Sequence, residues 1–286
     1  MEAVVEVYGY NGGKMTIAGP DAGAEGVHLA SGVEGLMDPE VSFVKQSPGN
    51  RPGAKYISHR ILERTLIFRV TVLNSEKDEW NERDYQWRKL WAYDEDTEIR
   101  VTTPVYGTRV LKAHLEEIEV DTEFDPHVSG ATDVTMTVVA DDPFWYAPDI
   151  VLDTVYNEKS GWEAITNRAN RTPNRVYPII ELPGGTQWKI PSWKDAVSAS
   201  VVSPSINMPS QASGEGFLVN FDPGSRQVIS TKGTMAWGRM NGVRFQGYIP
   251  PGKANLTLRF TSSSSSVTKG PRVILKQPFN RPWGWA

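Results

Sequence analysis

The chain has 286 residues, and at about 100–200 residues per domain it is expected to form two domains. Hydrophobic residues make up 39% and charged residues 22%, so the chain can bury a core and is not disordered as a whole. There is no cysteine, which excludes disulfides and thiolate metal sites.

The net charge of −4 hides a division. Residues 1–148 hold 14 Lys and Arg against 26 Asp and Glu, whereas residues 149–286 hold 16 against 8. Such asymmetry concerns surroundings and partners rather than fold, and the acidic first half argues against nucleic-acid binding there. The N-terminus, Met1-Glu2-Ala3-Val4-Val5-Glu6, has no basic region and no long apolar run, so no secretory signal is expected. No segment approaches about 18 consecutive apolar residues, so no membrane insertion is expected and the protein should be soluble where it is made.

Residues 19–60 are rich in Gly and Pro and only weakly periodic. Within them, Ser47-Pro48-Gly49-Asn50-Arg51-Pro52-Gly53 reads as a loop, and a long loop inside a compact domain usually serves function. From Leu62 the pattern sharpens. Leu62, Leu66, Phe68, Val70 and Val72 share one parity and Glu63, Thr65, Arg69 and Thr71 the other, as in a half-buried strand.

A helix is expected over about residues 75–92. Asn74 and Ser75 offer an N-cap, Asp78 completes a near capping box, and Arg88 and Lys89 sit in the last turn. Trp80, Trp87 and Trp91 share one face, with Glu79–Arg83 and Asp84–Arg88 as i,i+4 pairs. The strand from Arg109 carries a fault. Leu111, Ala113 and Leu115 share a parity that Ile118 and Val120 do not, which predicts a β-bulge or bend near Glu116-Glu117. Glu117, Glu119, Asp121 and Glu123 then form an acidic stripe, and Val134, Met136, Val138 and Ala140 mark one more half-buried strand.

Residues 148–160 read as a linker. Beyond them, short apolar runs such as Val176–Leu182, Phe217–Phe221, Val243–Ile249, Leu256–Phe260 and Val273–Leu275 alternate with Gly/Pro turns, which predicts an all-β sandwich. Ser262 to Ser266 is most simply a hairpin tip.

Catalytic patterns are missing. The histidines His28, His59, His114 and His127 form no metal-ligand pair, and no nucleophile elbow, P-loop or dinucleotide fingerprint occurs. Asp141 and Asp142 are adjacent, so on a strand they would point to opposite faces. No cofactor or metal is expected. Ten tryptophans are many, and most should fill cores or interfaces. Among those of the second half, Trp188, Trp193 and Trp237 are candidates for stacking on sugar rings.

Several ordered segments carry a resemblance. They are Arg60 to Val72, Trp80…Trp87-Arg88-Lys89-Leu90-Trp91, Ile99 to Thr103, Gly107 to Leu111, and Ala140-Asp141-Asp142-Pro143-Phe144-Trp145. Further on stand Ile165-Thr166-Asn167, Tyr177 to Leu182, Phe221-Asp222-Pro223, Ile249-Pro250-Pro251-Gly252 and Arg281-Pro282-Trp283. As an ordered set this resembles the distal tail proteins (Dit) of long-tailed bacteriophages, usually labelled minor tail proteins in phages of mycobacteria. One departure is visible: Arg168-Ala169-Asn170-Arg171 stands where a Gly-Asp-type turn follows the Asn in the family.

The resemblance implies a mainly β fold with one helix in the first domain: an N-terminal sandwich or barrel-like ring domain, then a galectin-like β-sandwich. The expected domains are residues 1–147 (ring-forming), 148–160 (linker) and 161–286 (peripheral). It also implies a homo-oligomer, a hexameric ring at the distal end of the virion tail, made in the host cytoplasm. The ring would join the tail tube protein to tail-associated and tip proteins, its outer domains would hold receptor-binding proteins or meet host glycans, and DNA would be only passing cargo.

On this reading Glu117, Glu119, Asp121 and Glu123 are expected at the channel or its mouth, and Pro48, Asn50, Arg51 and Pro52 at the neighbouring subunit. The competing function is a carbohydrate-binding module. An enzyme would need a convergent carboxylate pair, and the eight acids of the second half are scattered.

Overall fold

A computed structural model of the chain describes residues 3–50, 52–74, 79–121, 123–212, 214–265 and 267–284. The chain divides into two compact units, one of residues 1–147 with 279–286, the other of residues 148–278.

The first unit contains β1 (Val4–Tyr8), β2 (Lys14–Ala18), β3 (Val27–Leu29), β4 (Val41–Gln46), β5 (Lys55–Ile61), β6 (Arg64–Leu73), α1 (Trp80–Arg88), β7 (Thr97–Thr103), β8 (Gly107–Val120), α2 (Pro126–Ser129), β9 (Ala131–Ala140) and the start of β10 (Trp145–Asp153). One sheet runs β2-β1-β7-β8, a second runs β3-β6-β9-β8, and β4 pairs with β5 alone. The 14-residue β8 serves both main sheets. Its residues 107–113 pair with β7, and residues from His114 to Val120 pair with β9.

The register shifts between Leu115 and Glu117, where the sequence predicted a fault. One extra residue bends the strand and turns its inward face over. Val7, Ile17, Ile99, Val101, Leu111 and Ala113 from one sheet therefore meet Leu66, Phe68, Val70, Val134, Met136 and Val138 from the other in one core.

Helix α1 is shorter than predicted. Glu79 is its N-cap and makes no side-chain cap bond, and Lys89 is its C-cap. The expected caps at Ser75 and Asp78 lie outside the described residues. The tryptophan face is as expected, with Trp87 0% and Trp91 4% exposed and Trp80 packed against the same core. Asp84 pairs with Arg88 at 2.7 Å. A second short helix, α2, was not anticipated; the Asp125 carboxylate caps it by accepting from the His127 N–H.

The second unit takes the rest of β10, then β11 (Val155–Asn157), β12 (Gly161–Thr166), β13 (Pro178–Leu182), β14 (Trp188–Pro191), β15 (Val201–Val202), β16 (Pro204–Asn207), β17 (Phe217–Asn220), β18 (Val228–Ser230), β19 (Leu256–Ser262) and β20 (Arg272–Phe279). One layer runs β18-β17-β13-β20 and ends on β10. The other runs β11-β12-β19-β14-β16, with β15 parallel to β19. Ile180, Val219, Val273 and Leu275 face Leu258, Phe260, Trp188 and Ile190 across a sandwich core.

Three expectations are corrected. Residues 148–160 are not a free linker: they belong to β10 and β11, and Ile150 and Leu152 alternate with exposed neighbours to pack on the core. The last residues from Phe279 belong to the first unit rather than the second. The described part of Ser262–Ser266 is no hairpin tip, because β19 and β20 lie in different sheets and the segment crosses between them.

A fully buried acid ties part of the second unit together. Glu215 has no exposed side-chain surface and accepts from Arg239 at 2.6 Å, Ser230 Oγ at 2.6 Å, Thr234 Oγ1 and the Ala212 N–H at 2.8 Å. Arg239, then the two hydroxyls and the amide, hold its carboxyl far below the usual carboxylate range. A depressed folded-state pKa contributes stability that is complete above the unfolded value of about 4.3 and is lost as pH falls. Acid titration followed by tryptophan fluorescence should therefore show the second unit losing stability below about pH 4. Glu215→Gln should be less stable at pH 7 and show a flatter dependence between pH 4 and 2. An unchanged slope in the variant would assign the acid sensitivity elsewhere.

Candidate assembly interface

Four regions bear on how the protein could meet other molecules. The first is the β4–β5 ribbon. All of β4, and β5 up to Arg60, is exposed, and among the described residues the ribbon joins no other strand. It nevertheless exposes large apolar side chains: Phe43 is 57%, Val44 52%, Tyr56 53% and Ile57 55% exposed. Phe43, Tyr56 and His59 cluster with ring centroids 6.1–6.4 Å apart, Tyr56 O–H is hydrogen-bonded to His59 Nδ1, and Lys45 Nζ lies 5.4 Å over the Phe43 ring. Residues 41–61 hold four cations, Lys45, Arg51, Lys55 and Arg60, and no Asp or Glu. The contact loop expected from the sequence is the tip of this ribbon. Pro48, Asn50 and Pro52 are exposed there, and Arg51 lies outside the described residues. In the sequence no inside-outside alternation marks this ribbon, because its apolar residues face solvent on both sides.

The second region is the outer face of the β6-β9-β8 sheet. Glu117 stands opposite Thr137 and Glu119 opposite Thr135, both carboxylates exposed. Asp121 is exposed and accepts from the Glu123 N–H at 3.0 Å. The sequence stripe gains a member here: Asp133 on β9 accepts from Thr71 Oγ1 at 2.6 Å and lies 3.9 Å from Arg69.

The third region is a clasp on the chain's returning end. Arg64, 2% exposed, donates from Nε to Pro143 O at 2.7 Å and from Nη1 to Gly35 O at 2.6 Å and Met37 O at 2.7 Å. Its Nη2 donates to Asn280 O at 2.6 Å. Arg109, 3% exposed, donates to Arg281 O and Gly284 O, both at 2.7 Å, and stacks 3.6 Å from the Phe279 ring centroid. Arg281 in turn pairs with Asp38 at 2.6 Å. Burial lowers both Arg64 and Arg109 to about 10, and each meets its desolvation cost with charge-assisted bonds to carbonyls. The signal for both was present: each Arg sits on the inward parity of its strand, in step with Leu66 and Leu111.

The fourth region concerns the second-half tryptophans. Trp188 is 1% exposed, lies in the sandwich core and donates to Pro183 O, so it offers no face to a sugar. Trp193 packs against Phe221 at 5.1 Å and donates to Tyr248 O. Trp237 is 36% exposed. Trp285 lies outside the described residues. Among the described residues, no group of three or more His, Asp or Glu is placed to hold a metal ion.

The chain is 32% identical over 338 aligned positions to the minor tail protein Gp27 of Mycobacterium phage L5, covering 99% of this chain and 98% of that one. It belongs to the mycobacteriophage minor tail protein family. A second member, Gp27 of Mycobacterium phage D29, is 31% identical over 99% of this chain and 98% of its own. The sequence matches no protein-family model.

The minor tail protein fold is that of a distal tail protein. The Dit protein (gp 19.1) of phage SPP1, described as a hub of the adsorption apparatus, covers 97% of this chain with 99% of its own, at a TM-score of 0.63 and 14% identity. A chain of the phage P2 baseplate covers 97% with 98% of its own, at a TM-score of 0.56 and 8% identity. This family member is thus a structural tail component with a Dit-type fold, and the resemblance read from its ordered segments holds.

Proposed function

We propose that the protein is a ring-forming hub at the distal end of the phage tail, joining the tail tube to the tip proteins. The observation that carries this reading is the β4–β5 ribbon. A two-stranded ribbon with no third strand and no packed face is marginal in water. This one exposes large apolar side chains on both faces and bears only positive charge, on a unit that is otherwise strongly acidic. A second copy of the same unit offers the acidic surface that such a ribbon fits. Contact from each copy to the next is heterologous, and a heterologous contact gives a ring where its rotation closes and a filament where it does not. Six copies follow the distal tail family, and negative-stain images of the purified protein should show rings. A monomer by light scattering at high concentration, together with monomers along the tail tip in virion reconstructions, would overturn the reading.

The same reading gives the acidic sheet face a role. DNA leaving through a ring should be repelled rather than gripped, since cationic walls would hold phosphates. Glu117, Glu119, Asp121 and Glu123 suit the channel or its mouth. Glu117→Lys with Glu119→Lys should leave particles assembled but slow DNA release, the more so at low salt. Release at the normal rate would remove these residues from the channel wall.

A further inference from the structure

The second unit carries a groove of about 710 Å³ beside its edge strand β18. Met235, 83% exposed, Ile229, 43% exposed, and Trp237 supply its apolar surface. Arg226 and Arg244 supply its charge, with the Arg244 guanidinium 5.9 Å from the Trp237 ring centroid. No carboxylate lines the groove. Among the described residues neither arginine is in an ion pair, although the neighbouring arginines Arg239 and Arg272 both are. A second depression of about 430 Å³ shares Ile229 and Ser230 with the first and brings Lys269, Arg272 and one carboxylate, Glu181. The whole second unit has 15 Lys and Arg against 8 Asp and Glu.

We propose that this groove docks a segment of a partner tail protein in which a large apolar side chain is flanked by carboxylates. This deepens the hub reading and rests on it. Two facts favour protein over sugar. Trp, Met and Arg are the side chains enriched where proteins meet, and here they stand together and exposed. A sugar site also needs polar side chains set around the stacking ring to bind hydroxyls. The amide that could serve, Gln227, is spent inside the fold, donating to Phe245 O at 2.5 Å and accepting from the Phe245 N–H at 2.9 Å. Charge fixes the sign of the partner: two arginines without carboxylates beside exposed apolar surface attract an acidic segment and repel a basic one.

The test uses virions. A photo-cross-linking phenylalanine derivative replaces Met235 in one phage and Phe43 in another, and cross-linked peptides are mapped by mass spectrometry. From position 235 the expected product is a segment of another tail protein with at least two carboxylates beside an aromatic or aliphatic residue. Arg226→Glu with Arg244→Glu should lower its yield at least tenfold while the protein is still incorporated. A mapped segment lacking carboxylates, a second copy of this chain, or a glycan at position 235 would overturn the proposal. So would no product at 235 in particles where position 43 cross-links to a second copy, and that outcome leaves the hub reading standing. If the protein is absent from virions, both fall together.

Discussion

Arg64→Met should cost the first unit about 4 kcal/mol, at the top of the range for a single substitution. The side chain is buried and spreads four charge-assisted bonds over the carbonyls of Gly35, Met37, Pro143 and Asn280. Each such bond is worth about 1.5–3 kcal/mol, though four on one group do not add. Methionine fills the stem but leaves four acceptors without donors in a dry site, and it releases three stretches of backbone at once. Amide exchange in β6 and β9 should then speed up about a thousandfold. Arg64→Lys should rescue little, since one ammonium cannot match the planar fork. Deleting residues 279–286 should reproduce part of the loss, through Asn280, Arg281 and Gly284. Exchange in β6 and β9 unchanged by Arg64→Met would show that these bonds are not needed for stability.

Phe43→Glu with Ile57→Glu should abolish self-association while leaving the monomer intact. Both side chains are more than half exposed on the free ribbon, so each change should shift monomer stability by no more than about 0.5 kcal/mol. In a subunit contact each would be a central anchor, and removing one such anchor costs about 2 kcal/mol or more. The pair together should weaken association at least about a thousandfold by sedimentation. The charge of the ribbon has its own readout. Lys45→Glu with Lys55→Glu should weaken association less, and the difference from the unaltered protein should shrink as salt rises. Unchanged association in Phe43→Glu/Ile57→Glu would take the ribbon out of the subunit contact.

Much of the fold was legible because it depends on local alternation. The inward residues of β6 and β9, the Trp87–Trp91 face of α1 and the bulge in β8 all follow from which neighbours are apolar. Two further features carry the same local signal. Ile150 and Leu152 alternate like a strand inside the supposed linker, and Arg64 and Arg109 occupy inward positions where an Arg is costly unless its guanidinium finds acceptors. The candidate surface was less legible. The loop around Pro48 and Asn50 was found by its composition, but the ribbon that carries it was not, since exposure on both faces leaves no periodic trace.

By itself the sequence determined a two-unit β protein, the site of the bend in β8, the division of charge and the absence of catalytic patterns. Only the tertiary structure decided that the chain's end returns to the first unit, that Arg64 meets Asn280 216 residues away and Arg109 meets Arg281 172 residues away, and that Trp188 is core while Trp237 is surface. Periodicity is written over a few residues, so it says which face of an element is apolar. What covers that face depends on contacts between distant segments, and no local pattern records them.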